Sequence, residues 1–284
     1  MMILLPKEDH SLSTLITDLT EESYYDLLDD MKQENVDIFL PSFNVSTPQY
    51  KLSDMLKNLG IQCIMKLKLV YPKWPKLKNQ PEFNLPPHGP VCFAAALPDD
   101  VEVSFCDENV SDLDFEQDAD LVAISCMLTC QMPRGWEIAD LYREMGKPVI
   151  FGGIGTMLHA EETQKHADSV FMGEAEGRME EVIRDAENGT LKPRYDFFHA
   201  WPDLQEVGPA RRDILERDKY RFRNVQMVDL VHASRGCRFN CFPCCTPYLG
   251  GRKFRPRPID KVVEEVAGID NNRLFFVDNS LAQD

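Results

Sequence analysis

The sequence predicts an α/β protein: a doubly wound parallel sheet, followed by the first strand-helix-strand of a second α/β unit and preceded by a small α+β stretch. Three observations predict it. Five short apolar runs between residues 65 and 189 alternate mostly with helical patterns. Beyond a proline-containing connector at 190–227, residues 228–284 read as strand, cysteine-rich loop, amphipathic helix and strand. Before residue 65 the pattern is of a different kind. The expected domains are therefore 1–64, 65–189, 190–227 and 228–284.

Residues 1–64 read as a strand over Met1 to Leu5, a helix over about Ser11 to Leu19, and a second helix capped by Thr20 with Glu21 and Glu22 in its first turn. An alternating strand, NVDIFLPSFNVS, and a short helix from about Leu52 to a stop at Gly60 complete it.

From Met65 the order changes to strand and helix in turn. KLKLVY (66–71) is a buried-strand pattern, and a helix from His88 to Leu97 follows a proline-rich loop. VEVSFC (101–106) and LVAISCM (121–127) are strands joined by an acidic connector. A helix over Arg134 to Met145 leads into PVIFGG, one over His159 to His166 into SVFMG, and a last one runs from about Ala175 to Glu187, before Gly189. Apolar strands with helical crossovers predict a parallel sheet of flavodoxin type. Ligands of such sheets lie over the carboxyl ends of the strands. Ser125 to Thr129, Gly152 to Gly155 and Gly173 to Glu176 should then share one rim. Farther on, VDLVHAS (228–234), PIDKVVEEVAGI (258–269) and RLFFVDN supply a strand, a helix and a strand.

The 284 residues are 43% hydrophobic, enough for a core in each domain, and carry a formal charge of −16. That balance argues against a protein that grips nucleic-acid phosphates, which needs a basic face. No run of 18 apolar residues predicts a membrane span, and MMILLPKEDH is too short and too soon acidic for a signal peptide, so the cytosol is the expected compartment. Nine cysteines, an odd number with four between 237 and 245, fit a metal site in a reducing compartment better than a disulfide framework. Cys63, Cys92, Cys106 and Cys126 read as buried small hydrophobes.

The metal site is expected at Cys237, Cys241 and Cys244, spaced C-x3-C-x2-C in the loop after a strand. Two metal chemistries suit it. Zinc would need a fourth ligand, Cys245 or His232, although adjacent cysteines make an awkward tetrahedral pair. A 4Fe-4S cluster held by three thiolates keeps one iron open. SRGCRFNCFPC, with Phe239, the following GRKFRPRP, the helix Ile259 to Gly268 and the pair Asp278-Asn279, resembles the radical S-adenosylmethionine superfamily. The resemblance implies a 4Fe-4S cluster on Cys237, Cys241 and Cys244, S-adenosylmethionine on the open iron, and Asp278 and Asn279 facing that site. It also implies radical chemistry on a small-molecule substrate, with an electron donor as partner. One departure is Pro243, which stands where the family has an aromatic residue and leaves Cys245 as an alternative third ligand.

A flavodoxin-like domain directly before this motif resembles the cobalamin-binding domain of cobalamin-dependent radical enzymes. The matching segments are Ser125-Cys126-Met127 and the turn Gly152-Gly153. The resemblance implies that Ser125, Met127, Gly152 and Gly153 line the pocket of the cobalamin tail; Gly173, Glu174 and Glu176, on the same rim, are expected at its edge. It implies methyl transfer to an unactivated carbon as one outcome. The loop PKWPKLKNQPEFNLPPHGPV lacks the Asp-x-His-x-x-Gly segment that gives cobalt a lower histidine, so cobalamin is expected without a protein histidine beneath it. His88, in that loop, reads as a surface or helix-start residue.

MMILLP, LSTLITDLT, EESYYDLLDDM and VDIFLPSFNVSTPQYKLSDMLKNLGI resemble a fragment of a serpin over about residues 1–64. The bait loop and large sheet of that family are absent, so protease inhibition is not implied. A join between two unrelated fragments near Ile64 and Met65 is expected, as is a radical domain truncated after its second strand that turns over no substrate. The alternative reading is a catalytically inert metal-binding or interaction module with zinc at the cysteines.

Overall fold

The computed structural model describes residues 64–76, 78 and 83–283. The expected serpin-like elements of residues 1–63 lie outside the described residues. Chain contacts divide the protein into one unit of Met1–Met65 with Glu187–Gly189 and a second of Lys66–Ala186 with Thr190–Asp284. The site lies in the second.

Its first half is a sheet whose strands appear where the apolar runs stand: β1 (Met65–Tyr71), β2 (Val101–Asp107), β3 (Leu121–Ser125), β4 (Val149–Gly152) and β5 (Ser169–Met172). A sixth strand, β6 (Arg194–Asp196), adds to the edge from within the expected connector. The order is β2-β1-β3-β4-β5-β6, and the pairs β1/β3, β3/β4, β4/β5 and β5/β6 are parallel. The first five follow the flavodoxin order, in which the chain reverses direction across the sheet between β1 and β3. Parallel neighbours need crossovers. These are supplied by helix α1 (His88–Ala95) between β1 and β2, α2 (Met132–Glu144) between β3 and β4, α3 (Ile154–Leu158) with α4 (Ala160–His166) between β4 and β5, and α5 (Met179–Glu187) between β5 and β6.

Side chains alternate across a strand, so each face of this sheet has its own set. Val70, Val122, Ile124, Val149, Phe151 and Val170 pack with Ile138, Ala139 and Tyr142 of α2 into one dry cluster. Leu67, Leu69, Leu121, Ala123 and Ile150 face the other way and line a cavity.

The second half begins with a hairpin, β7 (Arg221–Phe222) and β8 (Val225–Gln226), turned by Arg223 and Asn224 at φ 50° and 63°. Strand β9 (Asp229–Val231) then leads to β10 (Ser234–Arg235), which pairs antiparallel with β11 (Arg255–Pro256) and so closes the cysteine segment at its base. Inside that segment α6 (Thr246–Leu249) forms a single turn. The predicted strand-helix-strand is present: α7 (Ile259–Ala267) crosses over to β12 (Leu274–Phe276), which pairs parallel with β9.

Candidate cofactor site

The predicted rim exists because the backbone turns sharply where the strands end. Gly153, at φ 94°, admits no side chain: a Cβ there would lie 2.4 Å from the Cys126 carbonyl oxygen. The close approach lets the Gly155 amide donate to that carbonyl at 2.9 Å, tying the loop after β4 to the end of β3. Gly152 is different, since a Cβ built on it meets nothing within 4 Å and would point into free space. A further tie carries no signal in the sequence. Gln131, fully buried, accepts from the Met127 and Leu128 amides at 3.0 and 2.9 Å and donates to the Pro72 carbonyl at 2.6 Å, joining the loops after β3 and β1.

Beneath this rim a cavity of about 420 Å³ reaches from Ser125, Gly152 and Gly153 down over the sheet face to Leu67 and Leu121. Such a volume lies in the range of small-molecule sites. On the far side it is lined by Arg235, Gly236, Cys245 and Thr246 from the cysteine segment and by Asn279. Gly173 and Glu174 also line it. Met127 does not. Its side chain is half exposed, because the chain leaves the strand after Ser125 and alternation stops; its amide, not its side chain, serves the loop.

The cysteine loop starts from a glycine that no other residue could replace without strain. Gly236, at φ 79°, passes so close to Lys253 that a Cβ would sit 2.2 Å from its carbonyl oxygen, and the neighbouring Cys237 amide donates to Gly251 at 3.1 Å. Cys237 is buried, whereas Cys241, Cys244 and Cys245 are exposed. Hydrogen bonds from the Thr246 side chain and backbone hold the Cys244 thiol below its ordinary range, which favours the thiolate form that metals bind. Among the described residues, His88, Cys92 and His232 are brought together as a group of potential metal ligands, while the three loop cysteines are not drawn into such a group.

Charge holds the loop against the sheet. Arg255 binds both oxygens of Glu174, and Arg235 spans Glu174 and Glu176 at 2.9 and 2.5 Å. Burial alone would push the Glu176 carboxyl up, but the Arg235 charge and hydrogen bond outweigh it and hold the group low. Arg257 and Arg212 share Glu265 of α7 at 2.6 and 2.7 Å. Asp278 turns toward the backbone: it accepts from the Ala233 amide and the Ser234 hydroxyl at 3.0 and 2.5 Å and so joins β12 to the residues before the cysteine loop.

His232 and His88 face each other rather than the cysteine loop, with Nδ1 and Nε2 2.8 Å apart. His88 does begin a helix, as expected, but it lines the cavity instead of the surface. Burial, with Arg212 and Arg235 nearby, pushes its imidazole down to about 4, and burial and Arg235 hold His232 far below its ordinary range. Cys92 is not merely a small hydrophobe. Its Sγ lies 3.4 Å from His88 Nε2, and burial pushes the thiol up to about 12.

Residues 77–183 match the family model of the B12 binding domain. This part of the chain resembles a B12-binding domain. Residues 1–70 match the model of the serpin (serine protease inhibitor) family. Over 168 residues, 57% of its length, the chain is 30% identical to bacteriochlorophyllide d C-8(2)-methyltransferase of Chlorobaculum tepidum and covers 37% of that enzyme. Two solved structures share the fold of most of this chain. The cobalamin-dependent S-adenosylmethionine radical enzyme OxsB, with aqua-cobalamin and S-adenosylmethionine bound, aligns at TM-score 0.61 and 16% identity over 78% of this chain and 35% of its own. The radical S-adenosylmethionine methyltransferase TsrM of Kitasatospora setae, with cobalamin and a 4Fe-4S cluster bound, aligns at 0.51 and 18% over 77% and 48%. The chain thus spans less than half the length of each of these proteins. Its resemblance to cobalamin-dependent radical S-adenosylmethionine proteins stands, as does the α/β fold class. No helix among the described residues is long and apolar enough to cross a membrane.

Proposed function

We propose that residues 65–284 are the cofactor-holding part of a cobalamin-binding radical S-adenosylmethionine enzyme of the methyltransferase kind. The sheet of 65–189 takes cobalamin, 190–227 connects, and 228–284 takes a 4Fe-4S cluster and S-adenosylmethionine. The observation that carries this reading is that one cavity has Ser125, Gly152 and Gly153 on one wall and Gly236, Cys245 and Thr246 on the other. Two cofactors bound at these walls would be neighbours, as transfer between them requires.

The residues fit both groups. The open space at Gly152 leaves room for a cobalamin tail against the backbone, and Ser125 offers a hydroxyl beside it. Cys237, Cys241 and Cys244 are the donor set of a cluster with one open iron, and the lowered Cys244 thiol suits a thiolate ligand. When bound, the cluster supplies the electron that opens S-adenosylmethionine and cobalamin supplies methyl-transfer chemistry. This chain's part is to orient them. Gly236 lets the loop leave β10 sharply, Asp278 fixes the residues before it, and Arg235 and Arg255 clamp the loop to the sheet through Glu174. His88 is engaged with His232, which supports a cobalamin without a lower histidine. A small-molecule substrate and an electron donor complete the reading.

Hydroxocobalamin added to the purified chain, followed by gel filtration and absorbance, tests it. About one retained cobalamin, lost in Gly152→Trp, is expected. Retention unchanged by Gly152→Trp would move the site elsewhere.

A further inference from the structure

Three ligating side chains that the proposed cofactors do not use converge beside the cavity. His88 and Cys92 are four residues apart on α1 and therefore share a helical face, and His232 directly follows β9. His88 Nε2 lies 2.8 Å from His232 Nδ1 and 3.4 Å from Cys92 Sγ, and the three ligating atoms all fall within 4.8 Å of one another. Zinc bonds of about 2.0 Å to nitrogen and about 2.3 Å to sulfur give tetrahedral edges of about 3.3 and about 3.6 Å. The imidazoles need part by only about half an ångström to admit the ion.

We propose that His88, Cys92 and His232 form a mononuclear zinc site, separate from the cysteine loop, with its fourth position open. Two imidazoles and one thiolate are a ligand set that borderline-soft divalent cations favour. His88 Nε2 and His232 Nδ1 point at one another, so both imidazoles present a ring nitrogen to the same spot beside the Cys92 sulfur. Carboxylates offset much of the nearby guanidinium charge: Arg235 is held by Glu174 and Glu176, Arg212 and Arg257 share Glu265, and Arg212 also lies 3.8 Å from Asp229. The open position has somewhere to face. Cys92 and His232 also line a second cavity of about 300 Å³, with Glu176 and Gly208, where water or a small ligand could complete the coordination. On binding, the Cys92 S–H bond breaks, its proton passes to solvent and a sulfur–zinc bond forms, with no change in oxidation state.

The experiment uses the full chain carrying Cys237→Ala, Cys241→Ala and Cys244→Ala, so that failure of the cluster reading cannot affect the result. Cobalt(II) is titrated into the metal-free protein under argon, then zinc. One cobalt per chain is expected, with the thiolate-to-cobalt charge-transfer band and intense visible bands of a four-coordinate ion, displaced by one equivalent of zinc. Cys92→Ser should abolish the charge-transfer band, and His232→Gln should weaken binding by more than about tenfold, the loss typical of removing even an outer-shell partner. Circular dichroism shows whether each variant is folded. Should one not fold, zinc protection of Cys92 from alkylation, read by peptide mass spectrometry in the parent, takes its place. A folded parent that shows no cobalt bands, bands that survive Cys92→Ser, or Cys92 alkylated equally with and without zinc would overturn the proposal.

Discussion

The Arg255 guanidinium grips both oxygens of Glu174, at 2.5 and 2.9 Å, and so fastens the base of the cysteine segment to the loop after β5. The two side chains are 7% and 14% exposed, and Arg255 also donates to the Pro202 carbonyl at 2.8 Å. Removing one partner of a buried pair costs about 3–5 kcal/mol when the charge left behind has no other partner, but Glu174 keeps Arg235 at 2.9 Å, so a smaller loss of about 1–3 kcal/mol is expected. Arg255→Ala should lose about that much stability in urea unfolding, and the conservative Arg255→Lys should recover only part of it because a point charge cannot grip two oxygens. An Arg255→Ala stability within about 0.5 kcal/mol of the parent, the usual scatter of surface substitutions, would refute the clamp.

The two glycines of the β4 turn should respond differently. Gly153→Ala forces a side chain onto the Cys126 carbonyl at positive φ, and about 1–3 kcal/mol of strain is expected in the melting curve. Gly152→Ala meets open space and should leave stability unchanged while narrowing the cavity beneath the rim. Equal stability losses in the two variants would contradict the geometry.

Gln131 is a structural cross-brace between the loops after β1 and β3. Gln131→Leu keeps the volume but leaves two amides and one carbonyl without their side-chain partner, for a cost of order 2–4 kcal/mol. Hydrogen exchange should locate the loss at Met127 and Leu128. Unchanged protection of those amides would show that other groups hold the rim.

A pH dependence arises from Glu265. Burial alone would raise its carboxyl, but hydrogen bonds from Arg212 and Arg257 and their charges outweigh burial and hold it below the ordinary 4.5. A carboxyl depressed on folding stabilises the fold fully above its unfolded value, and that contribution is lost as pH falls through the folded one. The stability gap between parent and Glu265→Gln should be largest near neutrality and should shrink below pH 4.5. A gap independent of pH would mean that packing, not charge, accounts for the loss.

Local pattern makes much of the fold legible in the sequence. The strands β1 to β5 are apolar runs of four to seven residues bounded by turn residues, and α7 has an amphipathic period. The elements that escape it are too short or too distant for pattern to register. In β6 only Tyr195 of three residues is buried, and the strands of the β7/β8 hairpin are two residues each. Glycines mark the rim because positive φ and close backbone approach exclude other residues, but Met127 departs from its expected place because alternation ceases once the strand ends. His88, Cys92 and His232 can be assembled only by the fold, since 144 residues separate the two histidines. The i,i+4 spacing of His88 and Cys92 is the local hint.

The cluster assignment is tested most directly by anaerobic reconstitution of the full chain with iron and sulfide, read by iron analysis and Mössbauer spectroscopy in the parent and in single cysteine variants. About four irons per chain in a 4Fe-4S signature are expected, abolished in Cys237→Ala, Cys241→Ala and Cys244→Ala and retained in Cys245→Ala. A chain that takes no iron, or a cluster that persists when Cys241 is replaced, would contradict it.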